Sequence, residues 1–456
     1  MQETKDFPET LEQWRGHWEG ILDKGGNPFL CPGADDTKRR LVWTSKKEET
    51  EPYVLLSENE SLEKALQVNA KRVSLPNAVV DSNHAEFSNL LPNKTYFYRC
   101  ITNQRKSDIY SFSTKEKTDS FSCIYVADVH VGSSNENPNI LIETGFCLHK
   151  VLLEALNRRP NISMILSGGD QASAGKSEEY RGFSASPILS KIPVNCIIGN
   201  HDKKDFVYPY FFNNPNYEID GSHSFMGSDH WFTHNNALFV CIDSNNPCIN
   251  DHIKTFKAAF SENPDCKWKI VMIHHDLFGG HNKNRKREND LLAMLFVPLI
   301  DKYGIDLVTG GHNHFYNRSH VLYNRKISER TDGVSEIINP KGTIFLASGS
   351  VNSPRRGKKH YTKGQYCAVD HISENDRIYN IFDFNGDKLT MNSYIFNQKE
   401  PFEKLTIVKH GNDGGHKKSG LPFYYTLCRP ITLLYGIINN KIEVKRLNKK
   451  GIFNKR

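Results

Sequence analysis

Five apolar runs in this chain end in short polar clusters of metal-capable side chains, and that repetition constrains the fold more than any other feature. CIYVAD runs from Cys123 to Asp128 and continues into Val129-His130, and ISMILSGGD ends on Asp170. PVNCIIGNHD carries Asn200, His201 and Asp202, WKIVMIHHD carries His274 and His275, and IDLVTGGHNH carries His312 and His314. Buried strands fix positions rigidly, and the loops that follow release side chains from the sheet's hydrogen-bonding pattern. Carboxylate oxygen can bridge two cations, imidazole nitrogen suits zinc or iron, and an amide oxygen adds a neutral ligand. If strand geometry persists into the turns, Asp128 and His130 point to one face, as do His312 and His314. A glycine precedes Asp170, Asn200 and His312, where a sharp turn or a close approach to a ligand is expected.

The strand tips sit in a region of strand–helix alternation that begins near Phe121, which predicts an α/β domain over 119–398. Helices are expected at about 140–157, 253–260 and 290–303 from their apolar spacing. The Asn-Gly-Asp at 385–387, between two alternating runs, predicts a hairpin. From Arg39 the pattern is of short alternating pieces such as LVWTS, TYFYRCIT and IYSFST, so residues 39–118 read as a small all-β sandwich after an extension over 1–38. Residues 399–456 read as an extension packing on the main domain, with a mobile basic end.

Composition excludes several classes. Ten cysteines in 456 residues, with no CxxC pair, do not make a disulfide framework; Cys123, Cys196 and Cys241 lie in apolar runs and read as buried free thiols. Lys+Arg 59 against Asp+Glu 52 gives +7, a weak pull toward phosphorylated molecules and no sign of a nucleic-acid partner. No run is long and apolar enough to span a membrane, and the first residues contain no apolar leader core. The chain is therefore expected in the cytoplasm if Met1 is the native start, and secreted or periplasmic if a leader has been removed.

In their order, Asp-x-His, Gly-Asp, Gly-Asn-His-Asp, His and Gly-His-x-His resemble the binuclear metallophosphoesterase (calcineurin-like phosphoesterase) superfamily, from about Phe121 to Phe396. With the β-rich segment in front, the chain is most similar to the purple acid phosphatase branch. The resemblance implies a four-layer αββα core preceded by a fibronectin type III-like sandwich. It implies two divalent or mixed-valence transition-metal ions (iron, zinc or manganese). Asp128, His130, Asp170 and His314 would hold one, and Asn200, His274 and His312 the other, with Asp170 bridging. His274 rather than His275 matches the family's V-x-x-H, which leaves His275 beside the site as a candidate catalytic and substrate-facing residue.

Two cations about 3.5–4 Å apart can activate water and neutralise phosphate oxygens, so hydrolysis of a phosphomonoester by a metal-bound hydroxide is the expected reaction. A phosphodiesterase acting on a nucleotide or lipid head group is the alternative, and a non-catalytic phosphate-binding or scaffolding protein a third reading. His201 is the expected general acid, with Asp202 raising its basicity. A small phosphorylated substrate could be drawn in by His281 and the basic clusters at Lys283–Arg287 and Arg355–Lys359, although charge runs are more often solvated loop faces. The aromatic residues from Phe206 to Tyr217 could wall the cleft or form a local core. The oligomeric state is not encoded legibly.

The chain departs from the purple enzymes where they have Gly-Asp-x-x-Tyr, because Ser173 stands at the tyrosine position. It departs again where His130 replaces the glycine of their Asp-x-Gly. Without a tyrosinate ligand, the metal-loaded protein is predicted to be colourless. A visible absorption spectrum checks this, and a strong tyrosinate-to-iron band would contradict it.

Overall fold

The computed structural model describes residues 7–23, 26–74, 78, 80–133, 140–217, 224, 229–278, 286–352, 365–371 and 376–449. Strand Ser120–Val126 shows how the sequence dictates the layers, because its side chains alternate between two cores. Cys123 and Tyr125 point into one apolar cluster with Phe239, Ile270, Met272 and Leu307 of a second sheet. Ile124 and Val126 point the other way, onto Leu148, Val151 and Leu152 of helix Ile140–Arg158. The second sheet divides in the same manner, with Val240, Val271 and Ile273 covered by Phe256, Leu299 and Ile300 of helices Ile249–Glu262 and Lys286–Tyr303. Helix, sheet, sheet and helix therefore stack in four layers, an α/β core of the expected αββα kind.

Among the described residues each of these sheets has seven strands. The first runs Val194–Cys196, Ile162–Ser167, Ser120–Val126, Ile378–Asn385, Lys388–Ile395, Glu403–Val408 and Glu336–Ile338. Its first three strands are parallel, so the loops carrying Asp128, Asp170 and Asn200 leave from one end. In the second sheet Ala237–Ile242, Trp268–Ile273, Leu307–Gly310 and Ile344–Ala347 are parallel, which brings His274 and His312 out at like ends. The expected hairpin pairs Asn385 with Lys388 across Gly386, which takes a left-handed φ of 56°. Its first strand lies directly against Ser120–Val126, a long-range pairing that local pattern does not reveal.

In front of this core lies a small β-rich domain of two four-stranded sheets, with Trp43, Phe87, Tyr98 and Phe112 between them. Its first strand, Phe29–Pro32, pairs with Arg39–Lys46 and so begins ten residues before the expected start. Tyr98 donates a hydrogen bond of 2.8 Å to the Ser190 carbonyl, fastening the sandwich to the core. Helix Leu11–Asp23, unexpected from sequence, buries Trp14 and Trp18 against Leu141, Ile142 and Phe146. At the other end, Glu403–Val408 extends the first sheet beyond residue 398, and the extension continues as helix Tyr424–Lys449. The aromatics after the Gly-Asn-His-Asp loop form a local core, since Phe206, Tyr208, Phe211 and Phe212 are all buried in the first cluster. Cys123, Cys196 and Cys241 are buried free thiols, as expected.

The C-terminal segment is locked to the core by charge. Asp306 is fully buried and accepts from Lys409 Nζ at 2.8 Å, from His416 Nε2 at 3.0 Å and from the Lys269 N–H at 2.8 Å. Burial alone would raise its pKa, but Lys409 and His416 hold the carboxyl below the ordinary carboxylate range. A carboxyl lowered on folding stabilises above its unfolded pKa of about 3.9, and that contribution disappears as pH falls through the folded value. Lys409→Met, which removes the ammonium and leaves the buried carboxylate to His416 and the Lys269 N–H, is predicted to destabilise by about 3–5 kcal/mol at neutral pH and by less in acid below about pH 4. Urea unfolding at both pH values measures this, and an equal loss at both would contradict it.

Candidate metal centre

The ligand loops do not continue the strands that precede them. Asp128, His130, Asp170, His312 and His314 all have left-handed backbones, with φ of 50°, 48°, 54°, 71° and 62°. This corrects the expectation that strand alternation persists into the turns; the side chains converge because the chain coils back at each tip. Such conformations cost about 1–3 kcal/mol each in non-glycine residues and persist only where surroundings over-determine them. Here the determinants are hydrogen bonds between loops. The Asp128 and His130 N–H groups donate to the Gly169 and Asp170 carbonyls at 3.1 and 2.8 Å, and the Gly311 N–H donates to the His274 carbonyl at 2.9 Å. The glycines serve close approach: a Cβ on Gly169 would lie 2.4 Å from His274 Nδ1, and one on Gly311 would lie 2.3 Å from Asp128 Oδ2.

All seven sequence-predicted ligands come together. His130 Nε2 lies 3.0 Å from His314 Nε2, 3.5 Å from Asp170 Oδ2 and 3.7 Å from Asp128 Oδ1. His314 Nε2 is 3.4 Å from the same Asp128 oxygen. On the other side, His274 Nε2 is 3.4 Å from Asp170 Oδ2 and 3.1 Å from Asn200 Oδ1, which is itself 2.8 Å from His312 Nδ1. Asp170 Oδ2 thus faces both groups, the position of a bridging carboxylate. Asp128, Asp170 and His274 are buried at the floor, while Asn200 and His201 are half-buried at the rim.

The donor set fits a pair of transition-metal ions. Asp128 Oδ1 is fully buried and makes no hydrogen bond, as a metal-directed oxygen should not, while its Oδ2 accepts from the His312 N–H at 2.8 Å. Two imidazole nitrogens 3.0 Å apart cannot both present protons to each other, so the His130–His314 pair calls for a shared proton or a cation. His274 Nδ1–H donates to the Gly168 carbonyl at 2.8 Å, which turns the Nε2 lone pair toward Asp170. In the metal-free protein, burial opposes ionisation of Asp170, yet His274 and His130 hold it well below the carboxylate range. Reciprocally, Asp170 outweighs burial and raises His274 to about 9. The floor demands positive charge.

The other predicted catalytic residues lie beside the ligands. Asp202 does not pair with His201. It is fully buried, with Oδ2 accepting from the Asp170 and Gly199 N–H groups at 2.7 and 2.8 Å, and Oδ1 accepting from the Ala172 N–H at 3.1 Å and the Tyr180 hydroxyl at 3.0 Å. It pins the Asp170 loop to the Asn200 loop. His275 sets its ring 4.3 Å from that of His312, with Nδ1 2.6 Å from Ser244 Oγ. His201 sets its ring edge-on to His130 at 4.6 Å, and its backbone N–H donates to Asp170 Oδ1 at 2.7 Å. Its Nδ1 lies 2.6 Å from both the Ser173 carbonyl and Lys204 Nζ, and its ring joins His130 and Asp170 in a group of side chains close enough together to hold a metal ion. Burial lowers its pKa, against the pull of Asp170. His281, Lys283, Arg285 and the cluster at Arg355–Lys359 lie outside the described residues, while Arg287 of the first cluster is exposed at the start of helix Lys286–Tyr303.

Sequence reasoning missed the supporting shell of Gly168, Ser173, Lys204, Tyr180 and Asp276. Asp276 Oδ2 accepts from Asn313 and Asn317 Nδ2 at 2.8 and 2.9 Å, tying the His274 loop to the His312 loop. Its place directly after His274-His275, and that of Asn313 between the two histidines, were the available signals.

Comparison with known proteins follows the same division of the chain. Residues 121–316 match the calcineurin-like phosphoesterase family, and residues 27–114 match the purple acid phosphatase N-terminal domain. In its domain order, a purple acid phosphatase N-terminal domain before a calcineurin-like phosphoesterase domain, and in its metal-binding triads, the chain is purple-acid-phosphatase-like. It is 26% identical over 154 residues to purple acid phosphatase 18 of Arabidopsis thaliana, a match spanning 32% of this chain and about a third (35%) of that protein. Its fold resembles that of the purple acid phosphatase PPD1 from yellow lupin seeds, with a TM-score of 0.68 at 16% identity, covering 85% of this chain and 76% of the lupin one. PhoD aligns with a TM-score of 0.56 at 12% identity, over 91% of this chain and 98% of PhoD.

Removing the Asp202 carboxylate releases the N–H groups of Asp170 and Gly199 without touching a ligand. Asp202→Ala is predicted to weaken metal affinity by about 10–100-fold, as loss of a group that orients ligands does. Competition with a chelator measures this, and unchanged affinity would contradict the clamp.

Proposed function

We propose that the chain hydrolyses a small phosphomonoester at this centre. The observation that carries the reading is the single buried oxygen, Asp170 Oδ2, facing His130 on one side and His274 on the other. A bound metal pair supplies charge neutralisation for the phosphate oxygens and a water acidic enough to attack at neutral pH. The remaining work falls to the protein. Asp128, His130 and His314 would hold one ion and Asn200, His274 and His312 the other, with Asp170 between them. His201, at the half-buried rim, would give its Nε2 proton to the departing alkoxide as general acid. Lys204 and the Ser173 carbonyl fix the other edge of that ring. We assign His275 to holding His312, and Asp202 to positioning the Asp170 and Asn200 loops. We also assign the N-terminal domain a fibronectin type III-like sandwich, supported by its two facing sheets.

A phosphatase activity is supported by the name of purple acid phosphatase 18, to which part of the chain is similar. Turnover of p-nitrophenyl phosphate is predicted to exceed that of bis(p-nitrophenyl) phosphate across pH and with zinc, iron or manganese; dominant diester cleavage would reverse the order. His201→Ala is predicted to lower kcat by about 10²–10⁴-fold while metal content is retained. Undiminished turnover in that variant would remove His201 from the reaction.

A further inference from the structure

Helix Tyr424–Lys449 presents to solvent a face that nothing in the catalytic reading uses. Leu427, Ile431, Leu434, Tyr435, Ile438 and Ile442 recur at spacings of three and four, and each is 48–68% exposed. Of the twelve large hydrophobic residues exposed among the described residues, seven fall between Phe423 and Ile442, so the apolar surface is concentrated rather than scattered. Contiguous stripes of this kind mark interaction sites. The stripe is also held still. Tyr424 donates to the Met294 carbonyl at 3.0 Å, Tyr425 donates to the Leu295 carbonyl, and Arg429 Nε donates to Asn250 Oδ1 at 2.6 Å.

The charges on this helix select the partner. Its exposed charged residues are Arg429, Lys441, Lys445, Arg446 and Lys449, all positive. Its sole acid, Glu443, is turned away from that face into a small cavity with Lys203, Asp243 and Asn439. Lys450, Lys455 and Arg456 follow in the sequence. A second copy of the helix would offer these cations no acid in either parallel or antiparallel pairing. A bilayer with anionic headgroups offers both things the face needs: acyl chains for the stripe and negative charge for its cationic end. We propose that this face docks the protein on an anionic lipid surface, peripherally, since no helix among the described residues is long and apolar enough to cross a membrane. The docking surface is independent of the phosphoesterase reading.

Co-sedimentation of the full chain with vesicles tests the proposal. Binding is expected to phosphatidylcholine vesicles containing phosphatidylserine, and little to phosphatidylcholine alone. The double variant I431E/L434E and the double variant K445E/R446E are each expected to bind at least about tenfold more weakly. Both alter exposed side chains, and unchanged thermal melting establishes that each remains folded. No binding of the parent chain to phosphatidylserine vesicles would overturn the proposal. So would undiminished binding by either variant, or a dimer of the parent chain in light scattering that I431E/L434E converts to monomer without any vesicle binding.

Discussion

One buried carboxylate organises the centre of this molecule. Asp170 lies where the ends of two sheets meet, and its Oδ2 is shared between imidazoles delivered by different sheets, His130 by the first and His274 by the second. A bare carboxylate in that place would be strongly disfavoured. It is tolerated because the surrounding ring is built of groups that carry or recruit positive charge. The same requirement makes the site a cation trap, and it explains why the metal reading and the stability of the loops are not separate questions.

Placing that carboxylate demands more than strand ends. Five of the ligand residues occupy left-handed backbone conformations, which a loop would not hold unaided. They are held by reciprocal backbone hydrogen bonds between adjacent loops, and by two buried carboxylates that bind no metal in the ligand scheme. Asp202 joins the Asp170 and Asn200 loops, and Asp276 joins the His274 and His312 loops. The strain and the clamps form one device: each loop is bent toward a common point and then fastened to its neighbour. The rim differs in kind. Asn200 and His201 are half-buried, whereas Asp128, Asp170 and His274 are fully buried.

Much of this was legible in the residues, and the parts that were not share a cause. Alternation within Ser120–Val126 and Trp268–Ile273 is a local signal, so the strands and their two-sided burial follow from pattern. The polar clusters were visible because each stands at the end of an apolar run, and the family resemblance picked the seven candidate ligands out of them. The clamp made by Asp202 was not legible because most of its partners, on Asp170, Ala172 and Tyr180, are distant in sequence, whereas adjacency had suggested His201. Backbone coiling at Asp128 and His130 was missed for a similar reason: a two-residue spacing looks the same in a strand and in a turn that reverses it. The start of the sandwich at Phe29 and the extension of the core sheet by Glu403–Val408 depend on pairing partners, which a single sequence does not name.

The account stands on the claim that Asp170 joins two metal ions. Anomalous diffraction from crystals of the metal-loaded protein, collected on either side of the zinc and iron absorption edges, tests it directly. Two peaks flanking Asp170 Oδ2 are predicted, one against Asp128, His130 and His314 and the other against Asn200, His274 and His312. A lone peak, or peaks that leave Asp170 uncoordinated, would contradict the account.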